Sequence, residues 1–243
     1  MSHMAERSSR RFHQETKDVL GGPPVPADLE LWPESWLTIE YKTYPRLPKI
    51  ELPQTAPSAD FFDIVKKRSS KRTVSGGSVK LEALSSILRY SCGIVSRKGG
   101  MHRAQPSAGT RFPLEVYPLV LHGSDALPAG LYHYGVKEHV LDVLWQKSLE
   151  EEVKGMFTYE WSRSVALILL ITAVFERTQE KYGERGYRYC LLEAGHVGQG
   201  IYLAAGAMDL SCCALAGTHD EVLEKLIDID GSTESLVYAL ALG

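Results

Sequence analysis

Three features of the chain predict an α+β fold. Short apolar strand patterns cluster in the middle of the sequence. They do not alternate one by one with helices, as a parallel β-α-β sheet requires. Helical periodicities stand before and after this cluster. The longest, in residues 178–213, repeats Cys190, Ala194, Val197, Ile201, Ala204, Ala205 and Met208 at spacings of three and four. That spacing lays one apolar stripe along a helix. The same stretch is rich in Ala and Gly, although each Gly inside a helix costs roughly 1 kcal/mol relative to Ala. A close neighbour must therefore meet this backbone, and a second helix, a partner subunit or a flat cofactor would each serve.

From the N-terminus, residues 5–58 carry prolines at 23, 24, 26, 33, 45, 48, 53 and 57, which forbids long helices and keeps the chain extended. We divide the protein into a Pro-rich arm, 1–58, and a folded domain, 59–243. Trp32, Trp36, Tyr41 and Tyr44 would pin the arm on its own or a neighbouring subunit. A short helix is expected over 59–67 and a second over 80–90, where Leu81, Leu84 and Leu88 recur before Gly93. Residues 96–113 form a Gly-, Ser- and Pro-rich loop. Strands follow at 116–121, 130–134 and 140–144, with a hairpin turn at 135–138. A helix is expected over 149–157. Residues 165–174 are apolar on both faces and read as a fully buried strand. Beyond the long helix come an amphipathic helix, 220–227, and a final strand, 235–242.

At 243 residues, 44% hydrophobic and 23% charged, the chain has the size and balance of one globular domain. Its 27 Lys and Arg against 30 Asp and Glu, net charge -3, leave no basic field for nucleic acid. The longest apolar run, 165–175, falls short of the ~20 residues of a membrane helix. The N-terminus lacks the apolar core of a secretory signal. Cys92, Cys190, Cys212 and Cys213 show no zinc spacing, and reduced thiols in a cytoplasmic protein are expected. No metal is expected either: Glu193-x-x-His196 occurs once, whereas a di-iron bundle needs it twice.

Phosphate-loop, dinucleotide-binding, nucleophile-elbow and zinc-protease motifs are all missing. Three segments remain. The run 66–72 (KKRSSKR) either complements a helix C-terminus or holds an anion through Arg forks and Ser hydroxyls. Residues 106–109 (PSAG) form a turn with backbone N–H groups free to meet a ligand. Lys181-Tyr182 is either a surface pair at a helix entrance or a general acid-base pair.

In that order, Arg68-Ser69-Ser70-Lys71-Arg72, Pro106-Ser107-Ala108-Gly109, Lys181-Tyr182 and the segment 193–199 (EAGHVGQ) resemble the nitroreductase-like flavoproteins. More narrowly, they resemble the SagB-type branch, which includes thiazoline/oxazoline dehydrogenases; the resemblance runs from about Phe61 to Gly243. It implies a dimeric fold with a central, mostly antiparallel sheet flanked by helices, and FMN in clefts at the homodimer interface. By the same resemblance, Arg68, Ser69, Ser70 and Arg72 hold the FMN phosphate and ribityl chain. Pro106, Ser107, Ala108 and Gly109 lie along the flavin ring, and Ala216 and Gly217 form a backbone turn near the phosphate. Lys181 and Tyr182 match the pair active in azoline oxidation. Many relatives continue into a tail with a basic residue near the phosphate, so part of that site is expected to be either missing or supplied from elsewhere.

The expected activity is FMN-dependent hydride transfer to or from a small-molecule or azoline-type peptide substrate. NAD(P)H-dependent nitro or quinone reduction is the alternative within the class. A non-catalytic flavin-binding or scaffold subunit of a peptide-modifying complex is the alternative outside it.

Overall fold

The structure, a computed structural model, describes residues 8–17, 29–72, 77–96, 101–149 and 151–243. Helices α1 (Ser8–Glu15) and α2 (Glu34–Leu37), strand β1 (Lys49–Glu51), helices α3 (Phe61–Lys67) and α4 (Leu81–Cys92) and the ribbon β2 (Ile94–Ser96) and β3 (His102–Arg103) come first. Strands β4 (Leu114–Val120), β5 (Gly130–Gly135), β6 (Val140–Trp145) and β7 (Leu167–Val174) follow. The chain closes with α5 (Glu176–Tyr182), α6 (Arg185–Ala207), β8 (Cys212–Ala214), α7 (Asp220–Ile227) and β9 (Glu234–Leu242).

Seven strands form one sheet in the order β1-β6-β5-β4-β7-β9-β8, with every neighbouring pair antiparallel. The fold class is therefore α+β, as the grouped strand patterns require. The sheet has two covered faces because its central strands are apolar in both directions. On β7, Leu167, Leu169, Ile171 and Ala173 join one core cluster with Leu84, Leu88, Val197 and Ile201 of α4 and α6. Ile168 and Leu170 join the other, beneath Leu223 and Ile227 of α7. This alternation is the two-residue period of a strand, read out as two cores.

The excess of small residues on α6 acquires an account. A Cβ on Gly198 would stand 2.3 Å from the Tyr238 ring of β9, and one on Gly200 would stand 3.1 Å from Ser91 Cα of α4. Two close neighbours are thus a strand and a second helix of the same chain. Gly195 faces open space, and Leu191 and Leu192 beside it are exposed.

The second face also carries a buried polar network. Glu115 and Asp142 flank His133 at 3.0 and 3.1 Å, and Arg177 pairs with Glu115 at 2.6 Å. Burial alone would lower the His133 pKa, but hydrogen bonds to both carboxylates outweigh it and raise the value. Two residues of the arm join this network. Tyr44 packs edge-on against His133, and Lys42 reaches Glu234 at 2.5 Å.

Three local expectations change. The helix expected over 149–157 is a 3-10 turn, Glu152–Gly155, although Leu149, Val153, Met156 and Phe157 are all buried. Lys181-Tyr182, expected just before the long helix, lies in a short helix of its own: α5 ends at Gly183, whose φ of 54° and ψ of -149° suit glycine, before α6 begins. The arm is not wholly irregular, since it holds α1, α2 and β1, and β1 pairs with β6. Prolines 23, 24 and 26, part of the 75–78 turn and residues 97–100 of the long loop lie outside the described residues. Among the described residues no helix is long and apolar enough to cross a membrane.

Candidate functional site

The expected site residues fall into two groups near opposite ends of α6. At the C-terminal end, α3 stops at Arg68, where the backbone turns extended (φ -54°, ψ 123°). The released chain then docks on β8. Ser70 forms a parallel bridge with Cys212, and Lys71 N donates to Cys212 O at 3.1 Å. Tyr202 of α6 fastens this junction. Its hydroxyl accepts from Ala214 N at 2.7 Å and lies 3.0 Å from Ser70 Oγ, while the Arg68 guanidinium stands 5.6 Å from its ring.

Around this junction is a cavity of about 260 Å³ lined by Lys67, Arg68, Ser69, Lys71, Tyr202, Asp209 and Cys212. Three cations face one carboxylate there. The surplus positive charge, with a serine hydroxyl and a phenol, is chemistry for an anion. Arg72 is exposed just beyond the cavity. Ala216 and Gly217 lie elsewhere, past the end of β8. Gly217 O accepts from Thr158 N at 2.8 Å, and Ala216 lines a separate cavity of about 220 Å³ with Asp220 and Tyr238.

At the N-terminal end of α6, residues 106–109 meet Lys181 and Tyr182. Ser107 Oγ accepts from Phe112 N at 2.8 Å and closes the loop into the 3-10 turn Ala108–Thr110. Gly109 sits at φ 58°, and a Cβ there would come within 2.6 Å of the Tyr182 hydroxyl and 3.0 Å of Lys181 Nζ. Glycine is needed both for conformation and for room. Thr110 and Phe112 also take positive φ, 56° and 48°, a backbone cost that the surrounding contacts must offset.

Lys181 is the unusual member of this group. It is 6% exposed, and its Nζ has no hydrogen-bond partner among the described residues. The arm covers it: Nζ lies 3.1 Å from the Trp32 ring centroid, 5.5 Å from that of Trp36 and 5.4 Å from that of Tyr182. Burial, and secondarily the charge of Arg111, lower the Lys181 pKa. Burial raises that of Tyr182, whose ring packs edge-on against Tyr189 at 5.2 Å. A proton is thus easier to remove from the lysine and harder to remove from the phenol than in water.

Four residues near these groups were not singled out as site residues from the sequence. Arg111 is buried, donating from Nε to Arg177 O at 2.7 Å and from Nη1 to Thr38 O at 2.9 Å. Glu193 is buried, accepts from Gln105 Nε2 at 3.2 Å, and is pushed up to about 7, chiefly by burial. Tyr202 and Trp32 complete the set. Glu193 lay in the quoted EAGHVGQ segment and Trp32 among the arm's aromatics, but sequence spacing carries no signal for contacts this remote.

The two groups are far apart within one chain. Tyr202 lies thirteen positions after Tyr189 on α6 (202 minus 189), about 20 Å along the axis at ~1.5 Å per residue. A ribityl chain is shorter than that gap. The cationic cavity can receive the phosphate of FMN, and the 106–109 loop with Lys181 can border a flat ring. A single copy does not bring the two together.

Comparison with known proteins gives consistent relatives. The Nitroreductase family model matches residues 65–243. MJ1384 of Methanocaldococcus jannaschii, which bears the nitroreductase name, is 30% identical over 168 residues, 69% of this chain and 83% of its own. The trifolitoxin-processing protein TfxB of Rhizobium leguminosarum bv. trifolii is 28% identical over 147 residues, 58% of this chain but 39% of TfxB. TfxB supports the SagB-type branch suggested by motif order.

Among solved structures, one from Anabaena variabilis, also named for the nitroreductases, superposes with a TM-score of 0.75 at 26% identity, covering 96% of this chain and 45% of that one. A chain of the E. coli microcin synthetase McbBCD complex with truncated pro-MccB17 bound shares the fold, with a TM-score of 0.61 at 20% identity, covering 100% and 84%. So does a structure from Desulfovibrio desulfuricans in complex with FMN, with a TM-score of 0.53 at 18% identity, covering 76% and 86%. This chain therefore spans less than half the length of TfxB and of the Anabaena protein.

Proposed function

We propose that this chain, which belongs to the nitroreductase family, is a SagB-type, FMN-dependent oxidoreductase that moves a hydride between a small organic or azoline-type substrate and flavin. The observation that carries the reading is the contrast between the ends of α6: a cavity lined by Lys67, Arg68 and Lys71 at one end, and the desolvated Lys181 beside Gly109 at the other. FMN needs both surroundings, cations for its phosphate and a flat slot beside a proton carrier for its ring. Arg68, Ser69, Ser70 and Arg72, with Lys71, are assigned to the phosphate and ribityl chain; Ala216 and Gly217, which lie at a separate cavity, are not. Pro106, Ser107, Ala108 and Gly109 are assigned to the ring.

When bound, FMN would supply hydride chemistry that no side chain can. Lys181 is assigned the proton that accompanies the hydride, because a lysine whose burial favours the neutral amine is a competent base. Tyr182, which holds its proton, orients the reacting group beside it. The ~20 Å gap between the groups assigns each site to two copies of the chain. The exposed Leu191 and Leu192, beside the open Gly195, give the partner an apolar surface on α6. In this reading residues 59–243 form the flavin-binding domain, 1–58 form the arm, and the protein works in the cytoplasm with its four buried thiols free.

A peptide substrate is favoured by the likeness to TfxB and to the McbBCD chain. The likeness to MJ1384 favours the second reading, NAD(P)H-dependent nitro or quinone reduction. The visible absorbance spectrum of the purified protein, with mass spectrometry of the molecule released on denaturation, tests the common premise. A yellow protein releasing about one FMN per chain is expected. A colourless protein that does not take up added FMN overturns the proposal. Consumption of NADPH with a quinone, and no oxidation of a thiazoline peptide to the thiazole, would select the second reading.

A further inference from the structure

Beneath the 106–109 loop lies a buried carboxyl that the proposed reaction leaves without a task. Extended backbone turns successive side chains to opposite sides, and Ser107 is extended, with φ -135° and ψ 136°. Pro106 is accordingly exposed, whereas Gln105, 5% exposed, and the half-buried Ser107 turn inward. Both meet Glu193 of α6, which is 3% exposed. Gln105 Nε2 donates to Glu193 Oε1 at 3.2 Å, and the Ser107 hydroxyl donates to the same carboxyl.

Ser107 accepts as well as donates. Its Oγ receives Phe112 N at 2.8 Å, so a chain of hydrogen bonds runs from the Phe112 N–H through the Ser107 O–H to Glu193. The residues bracketed by this chain are the strained ones, since Gly109, Thr110 and Phe112 take φ of 58°, 56° and 48°. Such backbone persists only where its surroundings over-determine it. The other ionisable groups around Glu193 do not offer a second acceptor. The Arg103 guanidinium, stacked 4.4 Å from the Phe112 ring centroid, is a cation, and burial keeps Cys92 and Cys190 protonated, each pushed up to about 11.

We propose that Glu193 is a positioning residue: it is the terminal acceptor that locks residues 105–112 in their strained form and so sets the width of the slot between Gly109 and the Lys181-Tyr182 pair. The lock rests on geometry, and its service to a flavin ring rests on the function proposed above. The slot has no slack at Gly109, where a Cβ would stand 2.6 Å from the Tyr182 hydroxyl. Loss of the carboxyl would leave two inward-facing donors unmet, which costs more than removing both partners of a bond, and the loop would shift outward to hydrate them. Glutamine at this position would keep the lock. Its carbonyl oxygen accepts as before, and its amide can donate to Gln105 Oε1, a buried acceptor with no donor among the described residues.

The first test needs no flavin. Hydrogen exchange read by mass spectrometry on the full chain compares the peptide 105–113 with β7, which controls for global opening. Glu193→Leu is expected to speed exchange of 105–113 about tenfold, the scale of one lost hydrogen bond, with β7 as in the wild type. Ser107→Ala, which cuts the chain at its middle, should do the same, and Glu193→Gln should stay near wild type. Exchange of 105–113 that is unchanged in both Glu193→Leu and Ser107→Ala, or that rises only together with β7, overturns the lock. So does a Gln variant that exchanges as fast as the Leu variant. Infrared spectroscopy adds a readout that packing alone would not move. Burial holds the Glu193 pKa up and the Ser107 hydrogen bond pulls it down, so the carboxylic-acid band that Glu193→Gln lacks should titrate at higher pH in Ser107→Ala than in the wild type. A midpoint that does not move overturns the chain from Phe112 to Glu193.

Fluorescence titration with FMN then tests the service to the ring. Affinity about tenfold weaker for Glu193→Leu than for the wild type and Glu193→Gln supports it. Equal affinity in all three overturns the ring role. If the wild type takes up no FMN while exchange follows the expected pattern, the lock stands and the flavin reading falls.

Discussion

The two ends of α6 hold cations in opposite surroundings. At the C-terminal end, the exposed Lys67 and Lys71 and the half-buried Arg68 line a polar cavity. At the N-terminal end, Lys181 is buried, without an acceptor among the described residues, and faced by aromatic rings. Exposed guanidinium and ammonium groups attract anions. A desolvated ammonium gives up its proton more readily. In the proposed reading one helix separates an anion-holding end from a proton-moving end, and each can be perturbed without the other.

The largest effect is expected at the buried end. Lys181→Gln should lower the rate of substrate turnover by about 10²- to 10⁴-fold, the range of a lost general base, while FMN binding stays within a few-fold of wild type. The pH profile sharpens this. In the wild type the rate should rise with pH as Lys181 loses its proton, at a pH below the ordinary lysine value, because burial first and Arg111 second lower it. The sign for stability agrees: between the lowered folded value and the ordinary unfolded one, the unfolded chain binds more protons, so stability rises with pH in that window. A Gln variant that loses flavin as well as rate would erase the distinction between the ends.

An intermediate effect is expected at the exposed end. Arg68→Ala removes a charged donor worth ~1.5–3 kcal/mol, so FMN affinity, read by fluorescence titration, should fall roughly 10- to 100-fold. The pH at which Lys181 titrates should not move. The smallest effect belongs to Tyr202→Phe, which deletes the hydroxyl joining Ser70 to Ala214. Urea denaturation should show a loss of about 1–2 kcal/mol, with a few-fold weaker FMN. A loss of flavin equal to that of Arg68→Ala would mean that Tyr202 contacts the anion itself.

The parts of the fold legible in the sequence were those set by local period. β7 and β9 match the expected 165–174 and 235–242 almost residue for residue, because a strand buried on both faces must be continuously apolar. Helix α7 coincides with the expected 220–227, since its apolar residues repeat at helical spacing. Where burial and conformation part company, the period misleads. Leu149, Val153, Met156 and Phe157 have helical spacing and are buried, but they enter the core from a short 3-10 turn.

The candidate site was legible only as separate segments. Motif order identified Arg68 to Arg72, Pro106 to Gly109 and Lys181-Tyr182, and the fold brings the last two together through Gly109. No local pattern could place Trp32 on Lys181, which lies 149 residues further along the chain (181 minus 32). The His133 network was illegible for the same reason: Glu115, His133, Asp142 and Glu234 come from four strands whose pairing is decided by tertiary packing.

Strand β1 spans three residues, yet it lies along β6 and pairs with Val140, Leu141 and Asp142. Without it, β6 would end the sheet with unpaired N–H and C=O groups, a template on which further chains can add. The Pro-rich arm therefore doubles as a guard against self-association. Trimming that spares Lys49, Ile50 and Glu51 leaves this protection in place, whereas trimming through Glu51 exposes the edge and invites aggregation.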